Sequence, residues 1–291
     1  MRVARVVLVL LVVVACTCVS SAGTSGVLQV VAAEGFWGDI AGQLGGTHAS
    51  VQSVVTDPNA DPHEYESSTN DARAVATANL VILNGAGYDD WGQKLLQASP
   101  NQARKVFVVA DLLGKKSGDN PHFWYDPDYV IKVADEITAE YRSLDPADAS
   151  YFDQRRAAFT TTLEPYMSRL AEIKQKFAGT PVGATETIFV YLADYLGLRL
   201  ISPPEFMQAV SEGNDPPAAA VVTFHEQIAR KAIKVLVYNV QTATAVTTNL
   251  RFEATRQSIP VVGVSETLQP VGASFQDWQD SQLVALENAL K

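Results

Sequence analysis

The feature that most constrains the fold of this 291-residue chain is a long helical stretch with alternating strand and helix signals on both sides of it. Residues 146–178 keep a helical pattern through Pro165, which predicts one bent helix rather than two separate ones. A helix of about 30 residues spans ~45 Å, roughly the width of a domain. Such a helix can join two structural units stiffly.

Short apolar runs on both sides of this helix predict strands, and the segments between them have helical patterns. The predicted strands cover residues 27–32, 50–55, 80–84, 105–109, 181–184, 199–202, 235–238 and 260–264. Strands that alternate with helices at this spacing favour parallel sheets with helices on both faces. The predicted fold class is therefore α/β, with two doubly wound parallel-sheet lobes joined by one long helix.

The same patterns predict four parts along the chain. Residues 1–26 form an export leader and tether, 27–144 an N-terminal α/β lobe, 145–179 the linking helix, and 180–291 a C-terminal α/β lobe. The two lobes share a plan, but no repeat is visible at the level of single residues.

The N-terminus has the pattern of an export signal. Arg2 and Arg5 precede an apolar run at residues 6–15, which is too short to cross a bilayer. Val13-Val14-Ala15-Cys16 resembles a bacterial lipobox, in which Cys16 becomes the lipidated first residue of the mature protein. The alternative is cleavage near Ala22, which would release a soluble protein.

Composition limits the classes of ligand. Cys16 and Cys18 are the two cysteines and both lie in the leader, so a bound metal must use histidine, carboxylate or water. Without Arg2 and Arg5 the chain has 20 basic against 32 acidic residues, which argues against nucleic acids and anionic lipids as partners. No second long apolar run is present in the sequence, so membrane attachment is expected only through the leader.

Two histidines lie in similar surroundings. His63 is part of Asp61-Pro62-His63-Glu64-Tyr65, and His122, 59 residues later, is part of Asn120-Pro121-His122-Phe123-Trp124-Tyr125. Each falls in a loop after a predicted strand, where open α/β sheets bind ligands. His122 alone is better explained by a turn histidine packed on aromatic rings, but the repeated pattern favours a metal site. Phe123, Trp124 and Tyr125 are expected to wall the pocket.

Two carboxylates occupy comparable positions in the second half. Glu186 and Glu266 each follow a predicted strand and precede a predicted helix. Glutamate is also common at a helix N-terminus, where it complements the helix dipole, so each residue alone has an ordinary structural explanation. Together, two imidazoles and two carboxylates that converge from facing lobes would enclose a divalent metal ion.

The remaining histidines and motifs do not indicate a second functional site. His48 follows Gly45-Gly46-Thr47 and is expected in a solvent-facing turn. His225 begins His225-Glu226-Gln227-Ile228-Ala229, which has alanine where a zinc-peptidase helix needs its second histidine. The sequence has neither a glycine-rich phosphate loop nor a Gly-x-Ser-x-Gly elbow.

These motifs resemble those of the bacterial zinc/manganese ABC-transporter solute-binding lipoproteins over nearly the whole chain after the leader. The two Pro-His stretches are the most specific part of the resemblance, and the supporting segments are Ala33-Glu34-Gly35-Phe36-Trp37-Gly38-Asp39-Ile40, Thr185-Glu186 ahead of Phe189-Val190-Tyr191, and Ser265-Glu266-Thr267. The resemblance implies that His63, His122, Glu186 and Glu266 bind a metal ion in the cleft between the lobes. It also implies a monomeric, non-enzymatic protein on the outer face of the cytoplasmic membrane that delivers its ion to a permease.

Two departures from the family leave the metal open. Many zinc-binding members have a histidine at the position of Glu186 and a histidine-rich loop, whereas residues 110–120 contain no histidine. Two histidines and two carboxylates suit manganese better than three histidines do, although zinc binds most such sites more tightly. Zinc and manganese are both expected, and iron(II) is a third option.

Two other functions compete with metal capture. A secreted metallohydrolase could use the same ligands with Asp61, Glu64 or Glu66 as general base, but four protein ligands leave little room for a substrate. Adhesion to host or matrix surfaces is neither supported nor excluded by the sequence. We therefore expect a metal-binding protein.

Overall fold

The computed structural model describes residues 26–58 and 65–291. The export leader with Cys16, and the segment that contains His63, lie outside the described residues. Within these ranges no helix has both the length and the apolar composition needed to cross a membrane.

Two four-stranded sheets form the framework. The first contains β1 (Leu28–Glu34), β2 (Ala49–Val55), β3 (Leu80–Leu83) and β4 (Lys105–Val108), in the order β2-β1-β3-β4. The second contains β5 (Pro181–Ala184), β6 (Arg199–Leu200), β7 (Leu236–Asn239) and β8 (Val261–Val264), in the order β6-β5-β7-β8. Every strand pair is parallel. We call the two sheets with their helices the N-terminal and the C-terminal lobe.

Eleven helices in the described part of the chain cover these sheets. They are α1 (Gly35–Gly45), α2 (Thr69–Thr77), α3 (Asp90–Ala98), α4 (Val109–Leu112), α5 (Pro127–Leu144), α6 (Ala149–Phe177), α7 (Val190–Leu196), α8 (Pro204–Ser211), α9 (Ala218–Ala229), α10 (Ala245–Arg256) and α11 (Phe275–Leu290). Short 3-10 turns at Gly46–His48, Phe123–Tyr125, Pro146–Asp148 and Thr187–Phe189 connect some of them.

The two parallel sheets and the connecting helix confirm the predicted fold class. The α6 helix runs for 29 residues through Pro165 and is preceded by a 3-10 turn that begins at Pro146. Its buried side chains repeat every three, four or seven residues, which places them along one face: Phe152, Phe159, Leu163, Tyr166, Leu170 and Ile173.

The hydrophobic core is continuous across both lobes. One cluster of buried side chains contains Val30 of β1, Leu163 of α6, Val237 of β7 and Trp278 of α11. The α11 helix also reaches the N-terminal lobe, since the backbone N–H of Phe275 donates to the carboxylate of Asp39 at 2.8 Å. Both lobes therefore pack against the α6 and α11 helices through one shared core.

Candidate metal centre

His122 is held by the turn that leads into α5. It directly precedes the 3-10 turn Phe123–Tyr125, and the carboxylate of Asp126 then accepts hydrogen bonds from the backbone N–H groups of Asp128 and Tyr129. Pro127 stands at the first position of the helix, where its missing N–H costs nothing. This cap fixes the end of the loop that carries His122.

Glu186 and Glu266 follow the carboxyl ends of two strands of the second sheet. Glu186 comes two residues after β5 and has extended backbone angles, with φ −153° and ψ 168°. Glu266 comes two residues after β8. Because β5 and β8 are parallel strands of one sheet, both carboxylates lie at the same edge of it.

The structure brings His122, Glu186 and Glu266 together between the lobes. One potential ligand atom from each residue lies within 4.8 Å of the other two. Nε2 of His122 is 3.5 Å from Oε1 of Glu186, and both side chains are completely buried. The carboxylates of Glu186 and Glu266, with oxygens within 4.8 Å of each other, repel each other in this buried site, and a divalent cation would offset that repulsion. One imidazole and two carboxylates match the ligand preferences of zinc and manganese.

Asn120 orients the imidazole ring. Nδ1 of His122 lies 2.7 Å from Oδ1 of Asn120, an acceptor, so Nδ1 carries the proton and Nε2 faces Glu186. The amide nitrogen of Asn120 donates to the carbonyl oxygen of Thr187 at 2.9 Å. One side chain therefore sets the histidine tautomer and links the two lobes next to Glu186.

Each carboxylate is held by hydroxyl or amide donors. Tyr88 from the N-terminal lobe and Asn239 from β7 each donate to Glu266 at 2.6 Å. The hydroxyl group of Thr242 donates to Glu186 at 2.7 Å. Partners of this kind orient metal ligands and tune their basicity. The sequence reasoning missed all three, because no local pattern indicates contacts across lobes and loops.

The loop after β3 directs Tyr88 across the cleft. Gly85, Ala86 and Gly87 all have positive φ, at 78°, 58° and 90°. A Cβ atom at Gly85 would come within 2.7 Å of a methyl group of Val108, so this position needs glycine for space as well as for conformation. The glycines flanking Ala86 were the available sequence signal for this turn.

A buried pair of acids supports the same loop. The carboxylate of Asp89 accepts from the backbone N–H groups of Asn84 and Gly85 at 2.6 and 2.8 Å. Burial, followed by the charge of Asp89 and a hydrogen bond to it, raises the pKa of Glu34 well above 4.5. Asn84 in turn donates to the carbonyl oxygen of Pro121 at 2.9 Å, next to His122. Burial thus favours the protonated form of Glu34 beside this loop.

The remaining histidines have different surroundings. His63, a predicted ligand, lies outside the described residues. His48 is partly buried beside Asp148, with its ring stacked on Tyr151 at 4.1 Å, so the expected solvent-facing turn is only partly correct. His225 on α9 contacts the carboxylate of Glu253 on α10.

The aromatic wall differs from the expectation. Among the described residues, the rings in contact with His122 are Trp124, at 5.2 Å between centroids, and Tyr88, at 6.2 Å. Phe123 packs on Tyr129 and Tyr191 instead. Tyr125 donates to the C-terminal lobe at the carbonyl oxygen of Ser265. A 3-10 turn points successive side chains about 120° apart, so three consecutive rings cannot face one pocket.

Replacing Asn120 with alanine is expected to weaken metal binding about 10-fold to 100-fold, the usual effect of losing an outer partner of a ligand. The variant loses the acceptor that fixes the tautomer of His122. Isothermal titration with zinc would measure the change. Asn70→Ala, an exposed asparagine on α2, is the matched control and should leave the affinity unchanged. An unchanged affinity in Asn120→Ala would show that the ring is held by its packing alone.

Glu34→Gln is expected to reduce the loss of stability as pH rises. Glu34 keeps its proton in the folded state above the ordinary pKa of 4.5, so the folded chain binds more protons than the unfolded chain there. The stability that the raised pKa of Glu34 contributes is fully present below pH 4.5 and is lost as pH rises through the folded-state pKa. Urea unfolding of metal-free protein between pH 4 and pH 8 would compare the slopes. Identical slopes would mean that Glu34 titrates normally.

Known proteins that are similar to this chain are metal-binding proteins of bacterial transport systems. The chain matches the family model described as "Zinc-uptake complex component A periplasmic" over residues 30–289. It is 25% identical over 240 residues to the metal ABC transporter substrate-binding lipoprotein FimA of Streptococcus parasanguinis, covering 76% of this chain and 75% of that protein. It is 28% identical over 174 residues to the iron-binding protein YfeA of Yersinia pestis, covering 55% and 54% of the two chains.

Solved structures agree on the fold. The manganese-bound periplasmic metal-binding protein of Candidatus Liberibacter asiaticus superposes with a TM-score of 0.74 at 18% identity, covering 90% of this chain and 99% of that one. At this identity the match supports the architecture alone, with two parallel sheets and a long connecting helix.

Proposed function

Because the chain belongs to the zinc-uptake complex component A periplasmic family and is the substrate-binding component of a metal-ion ABC importer, we propose that it captures manganese(II) or zinc and delivers it to a membrane permease. The protein acts outside the cytoplasm and is a binding protein rather than an enzyme, so the hydrolase alternative is not retained. A monomer suffices for this role, since the cleft lies within one chain.

The buried cluster of His122, Glu186 and Glu266 carries the proposal. These side chains come from both lobes, and their outer partners already hold the imidazole tautomer and both carboxylates. We propose His63, which lies outside the described residues, as the fourth ligand. The four side chains would replace much of the hydration shell of the ion, as expected of a site that binds and carries its cargo.

The ligand set favours no single ion by itself. Two carboxylates make the site hard enough for manganese, while zinc stands higher in the general affinity order of divalent ions. Iron(II) falls between them, and one relative is named as iron-binding. Manganese and zinc are therefore proposed as the cargo, with iron(II) as the third option.

Competitive metal loading tests this function. The purified, metal-stripped protein would be dialysed anaerobically against manganese, zinc, iron(II), magnesium and calcium, each below one equivalent, and its metal content measured. We expect manganese or zinc to dominate and magnesium and calcium to be excluded. Glu186→Gln should load much less metal, because it replaces a charged ligand with a neutral one. Failure to retain any first-row ion would overturn the proposal.

The N-terminal peptide is expected to carry lipid on Cys16. Val13, Val14 and Ala15 provide the apolar and small residues that precede the cysteine in a lipobox. An anchor of this kind would hold the protein at the outer face of the cytoplasmic membrane, near its permease. Mass spectrometry of the native protein would find the acyl mass on Cys16. An unmodified peptide that starts near Gly23 would instead indicate a released protein.

A further inference from the structure

A second group of potential metal ligands lies where α1, α5 and α6 meet. His48 ends the 3-10 turn after α1, and Asp145 and Asp148 flank the turn between α5 and α6. One potential ligand atom from each of the three residues lies within 4.8 Å of the others. Nδ1 of His48 is 3.0 Å from Oδ2 of Asp148. The group therefore has the dimensions of a metal site.

Asp145 is the most buried member of this group. It is only 4% exposed, yet within residues 26–58 and 65–291 its carboxylate takes part in no hydrogen bond. Its backbone is fully used, because its N–H donates to Tyr141 and its carbonyl oxygen accepts from Asp148. Its carboxylate oxygens are not fully buried, so water or a hydrated ion can reach them. One of them lies within 4.8 Å of a ligand atom of His48 and of Asp148, and the side chain does not cap the turn that it begins.

The imidazole of His48 is held in position. Its ring stacks on Tyr151 with centroids 4.1 Å apart and meets the edge of Phe152 at 6.0 Å. The hydroxyl oxygen of Tyr151 accepts from the backbone N–H of Thr47 at 3.0 Å, which ties the stacking ring to the turn. A metal ligand held in this way loses little conformational entropy on binding.

This group is separate from the metal centre between the lobes. The centre lies beyond the carboxyl ends of the strands, whereas His48 directly precedes Ala49, the first residue of β2. The α1 helix, which starts at the carboxyl end of β1 and ends just before His48, is 11 residues long and so spans ~16 Å. The two groups therefore lie at opposite edges of the first sheet.

We propose that His48, Asp145 and Asp148 form a second divalent-cation site, with water completing the coordination. One imidazole and two carboxylates suit zinc and related first-row ions. The site is weaker than the one between the lobes, because His48 and Asp148 are about one-third exposed and the positive end of the α6 dipole lies beside it. A bound ion would tie the end of α1 to the start of the linking helix.

Zinc titration tests the second site. Metal-free protein should bind one zinc ion tightly and a second one more weakly. Asp145→Asn, which keeps the size of the side chain and removes its charge, should lower the affinity for the second ion by at least ~10-fold and leave the first unchanged. His225→Ala is the matched control, since it removes another partly exposed histidine that contacts a carboxylate. A single zinc ion in the wild type, or a second ion that survives both Asp145→Asn and His48→Ala, would overturn the proposal.

An NMR titration of the unsubstituted protein tests the second site without depending on the folding of a variant. With one equivalent of zinc bound, further zinc should shift the imidazole NMR signals of His48 and leave those of His225 in place. His122→Ala should lose the tight site and keep the shifts of His48. Shifts at His225, or no shift at His48, would place the second ion elsewhere.

Discussion

Replacing His122 with alanine is expected to weaken metal binding by at least ~100-fold, more than the usual loss for an outer partner. The substitution removes the proposed ligand that the N-terminal lobe contributes within the described residues, and it leaves Glu186 and Glu266 facing each other without the imidazole. The two carboxylates still repel each other, and the site has lost one of the ligands that would hold a cation between them.

Equilibrium competition against a chelator of known affinity would measure this loss for zinc and manganese. His225→Ala is the matched control, because its histidine contacts a carboxylate on the surface of α9 and α10, away from the lobe interface. Wild-type affinity in His122→Ala would show that the cluster is not the cargo site. Equal losses in both variants would indicate a general effect on folding.

Metal binding is expected to stabilise the folded protein by ~2.7 kcal/mol when the free ion is 100-fold above its dissociation constant. The proposed ligands come from both lobes, and the unfolded chain does not hold them together. For a protein of this size the gain corresponds to a rise in Tm of about 5 °C. The rise should grow with metal concentration, because the stabilisation follows mass action.

Thermal melts of chelated protein with and without added zinc or manganese would measure the rise. Magnesium is the control ion, since it prefers an octahedral shell of oxygen ligands and should shift Tm little. Glu266→Gln should lose most of the shift for zinc and manganese. An absence of any shift with every first-row ion would contradict metal binding by the cluster.

The sequence predicted the framework well because strand and helix patterns are local. The predicted strands at residues 80–84 and 181–184 coincide with β3 and β5 within one residue, and the long helix continues through Pro165 as expected. The pattern between the predicted strands at 199–202 and 235–238 predicts one helix, at residues 217–232, so α8 was missed. The α8 helix is only eight residues long and begins at the second of two consecutive prolines, so its periodicity extends over little more than two turns.

The positions of three candidate ligands were predictable for a general reason. Ligand groups in open α/β sheets lie on the loops beyond the carboxyl ends of the strands. Glu186 and Glu266 each stand two residues after a strand, and His122 lies in the long connection between β4 and α5. Their supporting contacts were not predictable. Tyr88 reaches Glu266 across 178 residues of sequence, and this contact depends on how the lobes pack. The raised pKa values of Glu34 and Asp89 likewise depend on burial, which only the folded chain defines.

The contact between α11 and α1 has a consequence for how the chain acquires its fold. Gln276 and Phe275 pair with Gln43 and Asp39 across more than 230 residues of sequence. Contacts of such long range slow folding, since the intervening chain must be ordered before they can form. A chain that emerges on the far side of a membrane in order from its N-terminus therefore completes the N-terminal lobe late, after α11 has crossed. During that interval the face of α1 that carries Asp39 and Gln43 is not yet covered by α11.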